Sequence, residues 1–348
     1  MCVGGRIGTA KSDTLWGVSE RIPGGAGDDA SVTFPGGPPA AGPHTPRVPR
    51  RLRPGDRVAL VAPSGPVDPE RLERGVAVLG DLGLEVVLGS AVLAGEGYLA
   101  GPDAARAADL QEAWCDPSVA AVLCVRGGYG ATRLLGLLDW DAMARAEPKV
   151  LLGSSDITAL HRSFATRLGV ATLFGPMPAS ATISDPEGPE PVTFTHLRAA
   201  LFEGGTPGSV TGDAVLVPGR AEGPVTGGNL SLLAALCGTP DALRGEGRIV
   251  LLEDIDEAPY RIDRMVTQLL QAGCLDGVRG LVLGSWVNCG DPLPVLAERL
   301  TPLGVPIIAG LPIGHGSPQF CVWMEAVGVI DAKSCSLSGM FRNPDEAP

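Results

Sequence analysis

The sequence predicts an α/β protein whose N-terminal domain is a parallel, doubly wound sheet, followed by a second α/β domain. Three observations carry this. From residue 58 onward, short apolar runs of strand length alternate with segments of helical periodicity. The apolar runs end in glycine- or serine-rich turns, the place where parallel sheets hold their ligands. The length of 348 residues, 45% of them hydrophobic, exceeds one usual domain and supplies core for two.

Composition narrows the function classes. The net charge is −12, and the Lys and Arg residues are scattered without a basic run, which argues against nucleic acid and against an anionic membrane surface as partners. No stretch approaches the ~20 apolar residues a membrane span needs. Eight cysteines are widely spaced, with no C-x-x-C pair and no zinc-type histidine cluster, so no metal or other cofactor is expected; buried free thiols suit a reducing cytoplasm. Residues 1–47 lack the apolar core of a signal peptide and are rich in Gly, Pro, Ala and Asp. They read as a dispensable disordered extension, or as upstream sequence included by an early start codon.

The ordered chain is expected over residues 48–180 as the first domain. Val58-Ala59-Leu60-Val61-Ala62 is a strand and runs into the turn Pro63-Ser64-Gly65-Pro66. Leu72, Val76, Val78, Leu79 and Leu82 recur at helical spacing, and Glu85-Val86-Val87-Leu88 is the next strand. A helix over 103–114 places Leu110 and Trp114 on one face, and the strand 120–125 runs into Arg126-Gly127-Gly128-Tyr129-Gly130-Ala131-Thr132-Arg133. This glycine loop lacks both the dinucleotide fingerprint and the Gly-Lys-Ser/Thr of a P-loop. It reads either as an unliganded turn into a helix or as a source of backbone N–H groups aimed at an oxyanion.

Val150-Leu151-Leu152-Gly153-Ser154-Ser155-Asp156-Ile157-Thr158 is the stretch around which the chain is organised. A buried strand breaks at Gly153 into a helix, the arrangement that pushes a serine hydroxyl out beside backbone N–H groups. Ser155 holds the third position of a G-x-S pattern and is the better candidate of the pair. Ile157 stands where the elbow of the α/β-hydrolases needs glycine, so a different hydrolase architecture is expected.

Residues 171–177 close the first domain, and 181–212, with a helix over 195–202, form a linker region. The second domain, 213–340, opens with a glycine turn over 223–231 leading into a helix, and a flexible tail of 341–348 follows it. The strand 248–252 ends in Glu253-Asp254-Ile255-Asp256-Glu257, which is either a solvated acidic loop or the source of a functional carboxylate. A helix over 260–271, a strand over 280–284 and a short helix from Pro294 to Leu300 come next. Of the four histidines, His44 falls in the extension, His161 in the helix after the elbow and His196 in the linker; His315 alone sits between glycines at the end of an apolar strand. Ser155, Glu253 and His315 each end a strand and fill the three roles a serine hydrolase requires.

In order along the chain, Ala62-Pro63-Ser64-Gly65, the 126–133 loop, Gly153-Ser154-Ser155-Asp156, Gly227-Gly228-Asn229-Leu230-Ser231, Leu252-Glu253-Asp254 with Pro259-Tyr260-Arg261-Ile262-Asp263-Arg264, and Gly314-His315-Gly316 resemble the LD-carboxypeptidase family of serine peptidases over about residues 52–332. The resemblance implies an active site at the interface of two domains, with catalytic Ser155, Glu253 and His315. It also implies a cytoplasmic homodimer and release of the terminal D-alanine from muramoyl tetrapeptides in peptidoglycan recycling. The backbone N–H of Asp156 and one from Gly127 or Gly128 would form the oxyanion hole, with Arg126 and Asn229 as substrate-binding candidates. A sister branch, the microcin-immunity peptidases, cleaves peptidyl or aminoacyl nucleotides; the glycine loop looks more like the carboxypeptidase branch. A non-catalytic peptide- or nucleotide-binding protein is the third reading. Two features depart from the family pattern. Ser154 replaces its usual aromatic, and residues 321–328 match its usual run poorly.

Overall fold

The computed structural model describes residues 46–203 and 209–339. The elements in chain order are β1 (Arg57–Val61), α1 (Pro69–Asp81), β2 (Glu85–Leu88), α2 (Asp103–Cys115), β3 (Val119–Cys124), α3 (Trp140–Arg145), β4 (Val150–Gly153), α4 (Thr158–Ser163), β5 (Thr172–Phe174) and α5 (Pro191–Phe202). They are followed by β6 (Val210–Thr211), β7 (Ala214–Val217), β8 (Arg220–Asn229), α6 (Leu230–Ala235), β9 (Ile249–Ile255), α7 (Pro259–Gln271), β10 (Gly280–Val287), α8 (Leu293–Leu300), β11 (Ile307–Ala309), β12 (Val322–Met324), β13 (Val327–Asp331) and β14 (Ser336–Ser338).

Two sheets organise these elements. The first has the order β12-β5-β4-β3-β1-β2 and is parallel except where β12 joins β5. Its strands are apolar on both faces: Val58 and Leu60 lie in one core with Leu123 and Leu152, whereas Ala59 and Val61 lie in another with Val122 and Leu151. A parallel sheet covered by helices on both sides requires this continuous apolar reading. The second sheet runs β6-β14-β13-β8-β9-β10-β11-β7, with β8, β9, β10 and β11 parallel and the outer pairings antiparallel.

The structure revises four expectations. Residues 223–229 are part of the ten-residue strand β8, where a turn was expected. The glycines serve close approach: a Cβ on Gly227 would lie 2.1 Å from Leu251 O, and one on Gly228 would lie 2.7 Å from Thr158 Oγ1. Residues 322–324, where the family pattern fails, return to the first sheet as buried β12, so a strand late in the chain completes the sheet that holds the serine. Within 181–212, helix α5 begins at Pro191, capped by Glu190, and buries Leu197, Ala200 and Leu201 in the first sheet's core, so this stretch is packed structure and no mere spacer. Arg47 pairs with Val170 and donates to the carbonyls of Ala144 and Ala146, which moves the ordered boundary back past the expected 47/48. The rest of the expected extension, residues 204–208 and the expected tail lie outside the described residues.

Candidate active site

Ser155 sits where β4 breaks. Its φ is +59°, a left-handed conformation that is rare and strained for a residue with a side chain and that clusters at functional sites. Ser154 is extended and buried, and its Oγ accepts from Gln319 Nε2 at 3.4 Å. Only Ser155 of the pair is left to line a cavity. Gly153 is glycine because a Cβ there would meet Ile157 Cγ2 at 2.7 Å; Ile157 folds back over the elbow, which accounts for the departure from G-x-S-x-G.

The glycine loop lies against this serine. A Cβ on Gly127 would stand 2.8 Å from Ser155 Cβ, 3.0 Å from its Oγ and 3.5 Å from the Asp156 nitrogen. Gly127 and the Asp156 N–H therefore border one small space beside the hydroxyl, as an oxyanion site would require. The Asp156 side chain points inward, where it accepts from Ser64 Oγ at 2.5 Å and from the Ala131 N–H at 2.8 Å. Burial raises its carboxyl above the usual carboxylate range, opposed by those two hydrogen bonds and by the charge of Arg106.

The second sheet supplies the acid and the imidazole. Glu253, on β9, is fully buried, and its Oε2 lies 2.7 Å from His315 Nδ1. That bond leaves Nε2 as the free ring nitrogen. The glycine before His315 is obligatory: at φ +119°, a Cβ on Gly314 would meet Glu253 Oε2 at 2.3 Å and Ser285 Oγ at 2.7 Å. Gly316 N–H donates to Ser285 Oγ, which itself donates to the Ile313 carbonyl, so the histidine loop is pinned on both sides. Burial raises the Glu253 carboxyl, countered by the hydrogen bond and charge of His315. Burial alone would depress His315, but the Glu253 bond and the charges of Glu253, Asp254 and Asp256 outweigh it, so the imidazole is raised above 6.5.

Gly314→Ala is expected to push the carboxylate off the imidazole and lower kcat by ~10²- to 10³-fold with KM nearly unchanged. Steady-state kinetics beside a thermal melt would check it; full activity in a folded variant would show that the Glu253 contact is unimportant.

The neighbouring acids have other work. Asp254 accepts from Asn229 Nδ2, the Ser231 N–H and hydroxyl, and the Ile255 N–H. Asn229, expected to touch substrate, is buried, with Nδ2 on Asp254 and its oxygen capping α6 at Leu232 N. It braces the end of β9 beside Glu253 and is not among the residues that line the cavity holding Ser155. His161 and His196 are buried and pushed down to about 4; His161 ties Gly153 O to Thr172, and His196 accepts from Cys321 N–H.

Ser155 and His315 line one cavity of 310 Å³ with Val67, Asp68, Arg71, Arg126, Gly127, Gly128, Met177, Ala179 and Ser180. Arg126 reaches over it from the end of β3, held at Pro66 O by a 2.9 Å bond. Arg71, in the first turn of α1, escaped the sequence reading, because nothing in a solvent-exposed helix position distinguishes one arginine from another. Among the described residues no group of three or more His, Cys, Asp or Glu side chains is placed to hold a metal ion.

The chain matches the LD-carboxypeptidase N-terminal domain over residues 58–175 and the LD-carboxypeptidase C-terminal domain over residues 222–329. A putative carboxypeptidase of Streptomyces coelicolor is 51% identical over 83% of this chain and 95% of its own. The crystal structure of muramoyltetrapeptide carboxypeptidase from Oxalobacter formigenes is similar at 30% identity with a TM-score of 0.71, covering 81% of this chain and 97% of that one. An MccF-like protein from Bacillus anthracis shares the fold, with a TM-score of 0.75 at 24% identity over 85% of this chain and 99% of that one. With both domains matched in order and the two sheets delivering serine, acid and histidine to one site, the chain belongs to the LD-carboxypeptidase family of serine peptidases.

Proposed function

We propose that the protein is a serine carboxypeptidase that cleaves the L–D bond releasing the terminal D-alanine of muramoyl tetrapeptides. The observation that carries the reading is the convergence of Ser155 and His315 on one cavity, with Glu253 buried behind the imidazole at 2.7 Å. Ser155 Oγ attacks the carbonyl carbon before the terminal residue while His315 Nε2 takes the hydroxyl proton. The oxyanion is held by the Asp156 N–H and one from Gly127 or Gly128, each donor worth roughly 3 kcal/mol in comparable sites. As the C–N bond breaks, His315 returns the proton to the leaving amine, and water then attacks the acyl-enzyme with His315 again as base. Glu253 holds the imidazole in one tautomer and stabilises its charged form. Arg126, with Arg71 across the cavity, supplies the cation for the substrate's terminal carboxylate.

Higher sequence identity to a murein tetrapeptide carboxypeptidase than to a microcin C7 self-immunity protein, 33% against 26%, favours the tetrapeptide over a nucleotide-bearing substrate. The same reading includes a homodimer, which the family likeness implies. It also includes a cytoplasmic location, with which the seven free cysteines among the described residues agree. A serine-directed phosphonate should label Ser155 and no longer label Ser155→Ala; absence of labelling in the folded wild type would favour a non-catalytic binding protein.

The pH profile follows from the raised imidazole. His315 must be neutral to accept the proton, so kcat/KM should fall as pH drops through a value above 6.5. Removing the carboxylate in Glu253→Gln should move this acid limb to lower pH, because the interaction favouring the charged ring is gone. An acid limb unchanged by the substitution would contradict the pairing.

A further inference from the structure

We infer that the open lobe next to the Ser155 cavity is a second recognition subsite, built for the sugar-bearing acyl portion of a muropeptide; the inference rests on the reaction proposed above. The lobe is lined by Gly65, Pro66, Tyr98, Arg126, Gly128 and Tyr129 and encloses 640 Å³, against 310 Å³ for the cavity holding Ser155. The two share Arg126 and Gly128. A carboxypeptidase expels a single residue, so the smaller cavity suffices for the leaving side and the large retained portion needs the larger space.

The lining suits the C–H face of a saturated ring. Two of the chain's three tyrosines stand here, 65% and 50% exposed, in edge-to-face contact at 5.6 Å, so each leaves ring surface free to pack on the C–H face of a sugar.

The backbone that carries each tyrosine is tied down by hydrogen bonds, which lowers the cost of ordering the lobe on binding. Tyr98 tips a tight turn closed by Glu96 N–H to Leu99 O at 2.8 Å and Leu99 N–H to Glu96 O at 3.1 Å, with Gly97 at φ +61°. Ala100 N–H ties that turn to Ser64 O at 2.9 Å. Tyr129 stands between Gly128 and Gly130, both at positive φ. The peptide unit joining Gly130 to Ala131 is gripped at both ends: buried Arg106 donates to the Gly130 carbonyl at 3.1 Å, and the Ala131 N–H donates to buried Asp156 at 2.8 Å. The same two charges hold the opposite wall, Arg106 through Pro63 O and Asp156 through Ser64 Oγ. Arg106 and Asp156 Oδ2 thereby tie together the two loops that wall the lobe.

The test compares muramoyl tetrapeptide with the free tetrapeptide in the full-length wild type, Tyr98→Ala, Tyr129→Ala and the ring-retaining Tyr98→Phe. Each alanine variant should raise KM for the muramoyl substrate about 2- to 10-fold with kcat kept, leave the free tetrapeptide within ~2-fold, and find Tyr98→Phe near wild type. Equal effects on both substrates, or on neither, would overturn the subsite. If the wild type cleaves neither substrate, the proposed reaction fails, and calorimetric binding of muramoyl tripeptide to Ser155→Ala, with and without Tyr98→Ala, decides the lobe separately. Tyr98-dependent binding supports it and unchanged binding overturns it. Tyr98-dependent binding of an aminoacyl-sulfamoyl adenosine in preference to the muramoyl tripeptide would overturn the sugar assignment.

Discussion

Ser155→Ala should lose at least ~10⁴-fold in kcat, leaving only what binding and the oxyanion site supply without a nucleophile. Ser154→Ala should stay within ~3-fold of wild type, since small effects are the rule for a group that touches neither substrate nor reacting atoms. The contrast is geometric. One serine is buried with its hydroxyl on Gln319, and the other stands at φ +59° in the wall of the cavity. Steady-state assays paired with thermal melts would separate lost chemistry from lost fold, and comparable kinetics for the two variants would defeat the assignment.

Glu253→Gln should keep the fold and reduce kcat by roughly 10²- to 10⁴-fold, because a neutral amide neither fixes the imidazole tautomer nor stabilises the imidazolium. Glu257→Gln should cost less than ~10-fold on the same argument. Glu253 ends the apolar part of β9 and reaches His315 at 2.7 Å, whereas Glu257 lies past the end of the strand and pairs with Arg261 at 3.5 Å. If the Glu257 variant were crippled and the Glu253 variant mild, the acid would be misassigned although the serine would stand.

The alternation of strand and helix, the broken strand at Ser155, the acid ending β9 and the glycine-flanked histidine were legible because each leaves a local signature. A strand broken at a glycine and a histidine held between glycines are both visible in a short window of sequence. What stayed hidden depends on contacts distant in sequence. The glycines of β8 read as a turn because nothing local says that Leu251 O and Thr158 will press against them. The return of β12 to the first sheet is a pairing across about 150 residues, from Val322 to Phe174, which periodicity does not encode. The hydrogen bond from Asn229 Nδ2 to Asp254 joins residues 25 apart, which no local pattern encodes. The inward role of the Asp156 carboxylate, and Arg106 opposite it, could not be read from a helix start and an amphipathic stripe.

Product analysis on a tetrapeptide ending in D-alanine tests the central claim most directly. Wild-type protein should release D-alanine and tripeptide in equal amounts from a substrate with the L–D terminal linkage and not from one ending in L-alanine, and Ser155→Ala should release neither. Release that persists in Ser155→Ala, or cleavage of an aminoacyl-sulfamoyl adenosine with none of the tetrapeptide, would contradict it.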